Sequence, residues 1–388
     1  MRPPAVLFVD QSGELGGAEL SLLDIVSRRQ GRSEVRLFGD GAFAVRLRDA
    51  GVPVRVLGLG GVDGVRRKSG LGALLAAPAL VVAVIRLARM ARRFDVVHAN
   101  TLKAFVVAAL GRPLHRRPVV WHLRDLLTPE HFGSGWRRGV AWLGRAAAAE
   151  VIANSQATAE ALRRAGGPHA RVIHNGIDAT PFEGLERTKV RGALLAETGL
   201  APDRPIVGVF SRLAEWKGQA VLLEALTRLP EVQAILVGGP LFGEEAYEAK
   251  LRSIIATKGL ETRVRMLGAR SDVQVLMVAT DVAVHASVAP EPFGRVIVEA
   301  MLAGTPVIAT RGGGVGEVVE AGETGLLVPP GDPKALAVAI RTLLADPGEA
   351  RRMAERARAM AQRRFSLELC LEAVEAVLAG VRDGKRSL

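Results

Sequence analysis

The sequence predicts an α/β protein built from two facing Rossmann-like β/α/β domains with an interdomain cleft. Its 388 residues exceed one typical domain, so two hydrophobic cores are expected. Short runs rich in Val, Ile and Leu alternate with longer helical patterns along the chain, which is typical of parallel α/β layers. A turn sequence at 175–178, followed by a polar stretch to about residue 205, predicts a hinge between the two halves.

Short apolar runs bounded by turn residues are the strand candidates. Because these runs are continuously apolar, we expect strands that are buried on both faces. In the first half they are Ala5–Asp10, Glu34–Phe38, Val54–Leu57, Asp95–Ala99, Val119–His122, Val151–Asn154 and Val172–His174. In the second half they are Ile206–Ser211, Ala234–Gly238, Val264–Leu267, Val282–His285, Pro306–Ala309 and Gly325–Val328.

The expected domain limits follow from the hinge and from the last helical pattern. Residues 1–180 form the first domain, residues 181–365 form the second, and residues 366–388 form a helix with a basic tail. Ligands of open parallel sheets bind beyond the carboxyl ends of the strands. The cleft between the two sheets is therefore the predicted site.

The composition argues against several kinds of site. The one cysteine, Cys370, cannot form an intrachain disulfide and fits a reducing compartment. The seven histidines lack metal-ligand spacing and there is no D-x-D carboxylate pair, so no metal is expected. The N-terminal apolar run is too short for a signal peptide, and the run from Leu71 to Ile85 is shorter than the roughly 20 residues of a membrane-spanning helix. We expect a soluble, cytoplasmic protein.

Positive charge is concentrated in the first half of the chain. Residues 1–180 hold 26 Lys/Arg and 14 Asp/Glu, whereas residues 181–388 hold 26 of each, so the first half carries all of the net +12. Arg66, Arg67, Lys68 and the arginine-rich end of the helical pattern at 71–93 contribute to it. The asymmetry predicts an anionic partner, either a phosphorylated acceptor, an anionic membrane surface or nucleic acid. An arginine-rich composition without function is the alternative.

Two glutamates eight residues apart, Glu291 and Glu299, frame the most informative stretch, EPFGRVIVE. A helix is expected to start at about Phe293 or Gly294, with Glu299 inside it. The first backbone N–H groups of a helix, here at Phe293, Gly294 and Arg295, have no internal partner and favour a phosphate. Carboxylates accept protons from sugar hydroxyls. The stretch predicts a site for a phosphorylated sugar.

The loop after the first strand of each half carries groups suited to phosphate. In the first half, the segment GELGGAE at 13–19 brings Gly16 and Gly17 to a helix N-terminus, where the backbone can approach an anion closely. In the second half, Arg212 and Lys217 follow the strand and can converge on one diphosphate. The alternatives are a tight turn for the first loop and a solvated charge pair for the second.

Three further strand ends of the second half carry weaker signals. Gly238 ends one strand, and Gly268 with Ala269 follows the next, although plain turns explain these positions equally well. The glycine-rich turn at 312–317 follows a later strand and is interpreted as mainly structural.

Strand ends of the first half place polar groups at the same expected edge. His122 could hydrogen-bond or polarise a reacting group there, and a histidine of the core is the alternative. His98 is a similar but weaker candidate. Asn100 and Lys103 follow it and could meet an acceptor phosphate.

From residue 13 to residue 317, these motifs follow one another along the chain in the order found in the retaining glycosyltransferases of family 4, and they resemble the motifs of that family. The family is also called glycosyl transferases group 1 and has the GT-B fold. The resemblance thins between about residues 30 and 90. It implies that the first domain binds the acceptor, that the second binds a nucleotide-sugar donor, and that the last helix crosses back to the first. Ser211 departs mildly from the pattern, since many relatives have glycine there.

The resemblance also implies roles for the candidate residues. Arg212 and Lys217 neutralise the leaving diphosphate in place of a metal, and His122 lies near the reacting sugar. As a hypothesis, Glu291 accepts hydroxyl protons of the donor sugar and Glu299 those of the ribose. The remaining donor-binding positions are Gly16, Gly17, Gly238, Gly268, Ala269 and the backbone of Phe293, Gly294 and Arg295.

The sequence therefore predicts a retaining, metal-independent hexosyltransferase that uses a UDP or GDP sugar, needs no cofactor, and acts on a glycan, a lipid-linked or a small-molecule acceptor. Polysaccharide or glycolipid synthesis at the inner face of the cell membrane, with peripheral contact through residues 1–180, fits the charge. The alternatives are a GT-B phosphorylase or epimerase and a basic nucleic-acid-binding protein. The latter is disfavoured because the chain has one Tyr and few aromatic residues for base stacking.

Overall fold

The computed structural model describes residues 2–58, 77–241 and 243–384. It divides into two compact units. Unit 1 comprises Met1–Gly176 and Leu367–Leu388, and unit 2 comprises Ile177–Ser366. The predicted basic cluster Arg66, Arg67 and Lys68 and residues 71–76 of the predicted helix lie outside the described residues.

Unit 1 contains a parallel sheet of seven strands in the order β3-β2-β1-β4-β5-β6-β7. The order reverses between β1 and β4, which pair directly in the middle of the sheet. In doubly wound sheets the strand ends at such a reversal form the ligand crevice. The strands are β1 (Val6–Asp10), β2 (Ser33–Leu37), β3 (Val54–Val56), β4 (Val96–Ala99), β5 (Val119–Leu123), β6 (Ala148–Ala153) and β7 (Arg171–Val172).

Helices cover both faces of this sheet. The helices that follow β1 and β2 pack in one core with one face of the sheet. The helices that follow β3, β4, β5 and β6 pack in a second core with the other face. The helices are α1 (Gly17–Arg28), α2 (Ala42–Asp49), α3 (Ala77–Ala91), α4 (Leu102–His115), α5 (Ser134–Ala147) and α6 (Gln156–Arg164). Stacking of Phe105 on Trp121, with ring centroids 4.2 Å apart, anchors α4 on β5.

Unit 2 contains a parallel sheet of six strands in the order β10-β9-β8-β11-β12-β13, with its reversal between β8 and β11. The strands are β8 (Ile206–Phe210), β9 (Gln233–Val237), β10 (Val264–Gly268), β11 (Val282–His285), β12 (Val307–Thr310) and β13 (Leu326–Val328). Its helices are α7 (Arg187–Thr198), α8 (Gln219–Leu226), α9 (Glu245–Thr257), α10 (Val273–Ala279), α11 (Arg295–Leu302), α12 (Val315–Val318), α13 (Pro333–Ala345) and α14 (Pro347–Arg364).

The last helix, α15 (Leu367–Arg382), belongs to unit 1 although it follows unit 2 in the chain. Its residues Val374 and Leu378 are fully buried in the core that contains α1 and one face of the sheet. The guanidinium of Arg29, at the end of α1, donates to the carboxylate of Glu375 at 2.6 Å. The last helix therefore completes the cover on one face of the first sheet.

These sheets confirm the predicted α/β class with two Rossmann-like units, because a strand lies at each predicted position. The buried strands are apolar on both faces because helices cover both sides. Of the helices within the described ranges, none combines the length and the apolarity needed to cross a bilayer.

Candidate functional site

In unit 2, the loop after β8 is held against the end of β11 by a glycine. Gly218 has a φ of +71°, and a side-chain carbon at this position would lie 2.0 Å from the carbonyl oxygen of Ala286. The backbone N–H of Val288 also donates to the carbonyl oxygen of Trp216 at 2.8 Å. Because the two loops approach this closely, the short 3-10 turn Glu215–Lys217 carries Lys217 over the carboxyl end of β11.

Lys217 and Glu291 form an ion pair at this edge of the sheet. The ammonium Nζ lies 2.6 Å from the carboxylate Oε2, and each side chain is only 13% exposed. His285, the last residue of β11, places Nε2 at 3.2 Å from the same Oε2, and the hydroxyl of Ser287 donates to it at 3.3 Å. The structure thus gathers one carboxylate, one ammonium, one imidazole and one hydroxyl in a single cluster.

The charge of this cluster keeps Glu291 ionised. Burial by itself raises the pKa of the Glu291 carboxyl, but the positive charge of Lys217 and hydrogen bonds from His285 and Lys217 hold the pKa far below its usual value. All three contacts go to Oε2. Within the described residues no group hydrogen-bonds Oε1, so this second oxygen is left to accept a hydrogen bond from a ligand.

A second glycine fixes the backbone of Glu291. Gly313 has a φ of +62°, and a side-chain carbon there would lie 2.0 Å from the Glu291 carbonyl oxygen, which also accepts from the N–H of Gly314 at 2.8 Å. The turn at 312–317 therefore acts structurally, as its sequence predicts, by positioning Glu291.

Helix α11 begins at Arg295, slightly later than predicted, because Gly294 takes a φ of +92° and serves as the N-cap. Phe293 is 2% exposed and packs edge-on against Phe365, so its side chain belongs to the core of unit 2. The guanidinium of Arg295 lies 2.7 Å from Glu299 Oε1 one turn along the helix. Both predicted glutamates of the stretch thus carry a cationic partner.

Arg212 lies on the same loop as Lys217, at 3.0 Å from the carboxylate of Glu244. Lys217 Nζ lies 4.0 Å from the ring centroid of Trp216, and the guanidinium carbon of Arg212 lies 5.6 Å from it. The two cations therefore share one aromatic platform, which holds them near each other.

The strand ends of β9 and β10 lie beside this loop. Gly238, with a φ of +140°, packs against the carbonyl oxygen of Ser211, where a side-chain carbon would lie 2.0 Å away. Its N–H donates to the Gly268 carbonyl oxygen at 2.7 Å. Gly268 and Ala269 are exposed. Their backbone groups are therefore open to a ligand at this edge.

In unit 1, the loop after β1 forms a helix N-terminus. Gly16 is the N-cap of α1, and the carboxylate of Glu19 accepts from its N–H at 3.1 Å. Earlier in the loop, Gly13 packs on the backbone of Asp40, where a side-chain carbon would lie 2.3 Å from the carbonyl group. The loop after β1 is thereby held by the loop after β2, with Gly16 and Gly17 at its tip.

A buried polar network joins the strand ends of unit 1. The amide of Asn100 donates to the carboxylate of Asp10 at 2.7 Å and to the Ala18 carbonyl oxygen at 3.1 Å. The guanidinium of Arg124 donates to the amide oxygens of Asn100 at 2.7 Å and Asn175 at 2.6 Å. Asn100 is fully buried, so its predicted contact with an acceptor would need this network to open.

Burial raises the pKa of both carboxyls near this network. The pKa of Asp10 rises to about 6 because desolvation outweighs its hydrogen bonds from Asn100 and Ser12. The pKa of Glu19 rises to about 8, through burial first and the charge of Asp10 second. Arg124 lowers both values without restoring the usual ones.

The two histidines of unit 1 contact each other in its interior. Nδ1 of His122 lies 3.2 Å from His98 Nε2 and 3.4 Å from the Arg124 guanidinium. Because arginine only donates, Nδ1 of His122 is an acceptor and its proton sits on Nε2. Burial and the charge of Arg124 lower the pKa of both rings, so both are neutral. Within the described residues Nε2 of His122 is buried without a partner.

Other predicted positions and several unpredicted ones complete the two edges. Lys103 is half-buried near the start of α4. His285, Ser287, Asp10, Glu19 and Arg124 were not predicted as site residues. Each follows or ends a strand, or lies in a motif already noted, and that position was the signal.

The described residues contain no group of His, Cys, Asp or Glu able to hold a metal ion.

Two family models match the chain. Glycosyltransferase Family 4 matches residues 15–180, and Glycosyl transferases group 1 matches residues 191–360. The lipopolysaccharide core biosynthesis mannosyltransferase LpcC of Rhizobium leguminosarum bv. viciae is 32% identical over 76% of this chain and 81% of its own length. The chain is a family 4 glycosyltransferase.

Solved structures agree with this assignment. The crystal structure of Anabaena HepE in complex with UDP and glucose is 42% identical, with a TM-score of 0.88, and covers 97% of this chain and 99% of HepE. The glycosyltransferase LpsE of Rhizobium meliloti (strain 1021) is 33% identical over 59% of this chain and 64% of its own length. The GT-B fold and the family expected from the motifs are confirmed, and the predicted hexosyltransferase class agrees with the names of the relatives.

Proposed function

We propose that this glycosyltransferase is a retaining, metal-independent enzyme that transfers a hexose from a UDP sugar, with glucose as the first candidate, to an anionic or lipid-linked glycan. The choice of UDP over the GDP alternative is supported by the likeness to HepE, whose structures contain UDP and UDP-glucose. The enzyme needs no cofactor in this proposal, because the nucleotide sugar is a substrate.

The observation that carries the proposal is the carboxylate of Glu291, in which one oxygen is hydrogen-bonded and the other is open. Its Oε2 is held by Lys217, His285 and Ser287, while its Oε1 has no partner within the described residues. An ionised carboxylate with one anchored and one open oxygen can accept hydrogen bonds from sugar hydroxyls in a fixed geometry. Glu299, on the next turns of α11, would accept the ribose hydroxyls in the same way.

Arg212 and Lys217 would bind the diphosphate. Both lie on one loop and both have carboxylate partners, Glu244 and Glu291. A diphosphate carries more charge than one carboxylate, so it can compete with these carboxylates for the two cations. As the glycosidic bond breaks, negative charge grows on the leaving phosphate. Each positioned donor lowers the activation barrier by on the order of 3 kcal/mol.

Retention of configuration would follow from attack on the same face as the leaving group. In this proposal Glu291 binds sugar hydroxyls, and no side chain is assigned as a covalent nucleophile. The acceptor oxygen would bond to the anomeric carbon as the bond to the diphosphate breaks, and its proton would pass to the leaving phosphate oxygen. His122, with its proton on Nε2, would donate a hydrogen bond to the donor sugar.

The acceptor and its place are supported by charge. Unit 1 carries the positive excess of the chain, and an anionic or lipid-linked glycan at the inner face of the cell membrane would meet it. LpcC and LpsE are named for lipopolysaccharide core biosynthesis. Polysaccharide or glycolipid synthesis in the cytoplasm, close to the membrane, is the process we propose.

The donor assignment is tested by thermal unfolding with UDP, GDP, ADP, UDP-glucose, UDP-galactose and GDP-mannose. A ligand at 100 times its Kd adds about 2.7 kcal/mol of stability, a clear rise in Tm. We expect UDP and one UDP sugar to stabilise the wild type and not Glu299→Ala. The control Glu323→Ala alters an exposed glutamate of unit 2, whose side chain is 70% exposed, and should respond as the wild type does.

Product analysis separates the parts of the proposal. NMR of the transferred sugar should show the anomeric configuration of the donor, in EDTA as well as in buffer. Stabilisation by GDP alone would overturn the choice of nucleotide and leave the transferase, whereas stabilisation by none of the nucleotides at millimolar concentration would overturn the site itself.

A further inference from the structure

The outward sides of α3, α4 and α5 form a surface rich in exposed apolar side chains. In the described residues, seven of the eleven exposed large apolar side chains lie there. Trp142 is 68% exposed and Trp136 48%. The others are Val81, Val82 and Ile85 on α3, and Leu110 and Leu114 on α4. We call this surface the α3–α5 face. Such a concentration is unusual for a surface that meets only water.

These helices are neighbours, so their outward sides share one surface. Their inward sides bury residues in the same core of unit 1. Arginines also bridge them: Arg92 donates to the Leu114 carbonyl oxygen at 2.9 Å, and Arg112 donates to that of Ala146 at 3.1 Å. The apolar side chains therefore do not lie on separate parts of the molecule.

The face is positively charged and contains no acidic residue. Neither Asp nor Glu occurs at 77–93, 102–117 or 134–147. Besides Arg92, whose guanidinium is held by the Leu114 carbonyl oxygen, its exposed arginines are Arg86, Arg89, Arg93, Arg116, Arg138 and Arg145. Within the described residues, none of these six forms an ion pair. Some surface arginines elsewhere do pair, as Arg163 and Arg164 do with Glu160. The charge of this face is therefore left for a partner to neutralise.

The mixture of arginine, tryptophan and aliphatic side chains decides between partners. A second copy would bring two positive faces together, and their repulsion opposes this contact. A nucleic acid would leave the valines and leucines against phosphate. At a bilayer surface, arginines meet lipid phosphates, tryptophans lie at the level of the headgroups, and aliphatic side chains enter the acyl boundary. The chemistry of the face fits an anionic bilayer.

We propose that the α3–α5 face docks on the surface of an anionic phospholipid bilayer, with Trp136 and Trp142 inserted among the headgroups and the six arginines on lipid phosphates. The contact is peripheral, since it uses the sides of helices. It does not depend on which sugar the enzyme transfers. It would place the enzyme beside a lipid-linked acceptor.

Sedimentation of the full-length protein with vesicles tests this directly, without any sugar present. We expect binding to phosphatidylcholine vesicles that contain a quarter phosphatidylglycerol, weaker binding at 0.5 M than at 0.1 M salt, and little binding to pure phosphatidylcholine. Tryptophan fluorescence should shift to shorter wavelength on binding. Trp136→Ser/Trp142→Ser should lose that shift and most of the binding, and Arg138→Gln/Arg145→Gln should bind about tenfold more weakly or worse.

Matched controls remove equal charge or apolar area elsewhere. Arg163→Gln/Arg164→Gln removes two arginines of α6 in the same unit, and Val338→Ser removes a side chain that is 59% exposed in unit 2. Both should bind as the wild type does. The proposal is overturned by equal binding to neutral vesicles, by no binding, by an equal loss in Arg163→Gln/Arg164→Gln, or by a dimer in solution that Trp142→Ser abolishes.

Discussion

The carboxylates at the strand ends of the two units are buried to a similar degree but differ in electrostatics. In unit 2, the pKa of Glu291 lies far below its usual value, because Lys217 meets it directly. In unit 1, the pKa values of Asp10 and Glu19 are raised to about 6 and about 8, with burial as the main cause. The difference lies in how each nearby cation is used.

The ammonium of Lys217 forms an ion pair with one carboxylate. The guanidinium of Arg124 instead donates two of its N–H groups to the amide oxygens of Asn100 and Asn175. A shared guanidinium lowers the pKa of each neighbouring carboxyl only in part. The same sheet edge can therefore hold an ionised acid that binds hydroxyls or a pair of acids of which one, Glu19, retains its proton at neutral pH. Which of these occurs depends on hydrogen-bond partners rather than on the fold.

The largest expected effect comes from breaking the pair of unit 2. Lys217→Met leaves the buried charge of Glu291 without its ammonium and should destabilise unit 2 by about 3 kcal/mol, and Lys217→Met/Glu291→Gln should regain most of that loss. Transfer should fall at least about a hundredfold in both, because neither can stabilise the leaving diphosphate. Urea unfolding and initial rates measure the two quantities.

An exposed pair gives the control for this comparison. Lys250 pairs with Glu215, and their side chains are 55% and 77% exposed. Lys250→Met should change stability by less than about 0.5 kcal/mol and leave the rate intact. If the double variant of unit 2 stays as unstable as Lys217→Met, the unpaired charge is not the cause of the loss.

A smaller effect is expected from the glycines that hold the loops. Gly218→Ala should destabilise unit 2 by about 2 kcal/mol more than Gly259→Ala, because both glycines have positive φ but only Gly218 faces a backbone oxygen at 2.0 Å. Gly13→Ala is the matching change in unit 1, at 2.3 Å from Asp40. Thermal unfolding of the three variants would show whether both units depend on such contacts. Equal losses at Gly218 and Gly259 would rule out the close approach as the cause.

The smallest expected effect tests the raised pKa of Glu19 in unit 1, which contrasts with the lowered pKa of Glu291 in unit 2. The pKa of Glu19 is about 8 in the folded protein and near 4.5 when unfolded, so between these values the folded state binds more protons and stability falls as pH rises. From pH 6 to pH 7 the loss should approach about 1.4 kcal/mol. Glu19→Gln should remove it, and Glu160→Gln, at an exposed carboxyl with a lowered pKa, should not. An unchanged pH dependence in Glu19→Gln would contradict the raised pKa.

The sequence predicts the strands and the residues that follow them, because apolar runs and glycine-rich turns are local signals. It does not show which strand ends become neighbours. Lys217 contacts Glu291 only because β8 and β11 pair at the reversal of strand order, which brings the loop after β8 to the end of β11. Arg124 likewise reaches Asn100 across adjacent strands. The start of α11 was predicted slightly early because it depends on the φ of Gly294.

Helix α15 separates the order of synthesis from the order of folding. Part of one face of the unit 1 sheet, including Val120 and Ile152, stays uncovered until Val374 and Leu378 have been made, after the whole of unit 2. Domains generally fold as units during N-to-C synthesis, but here the first unit to emerge is the last to be completed. A stop codon after Ser366 would therefore damage the half of the enzyme encoded at the other end of the gene and leave every residue of unit 2 present.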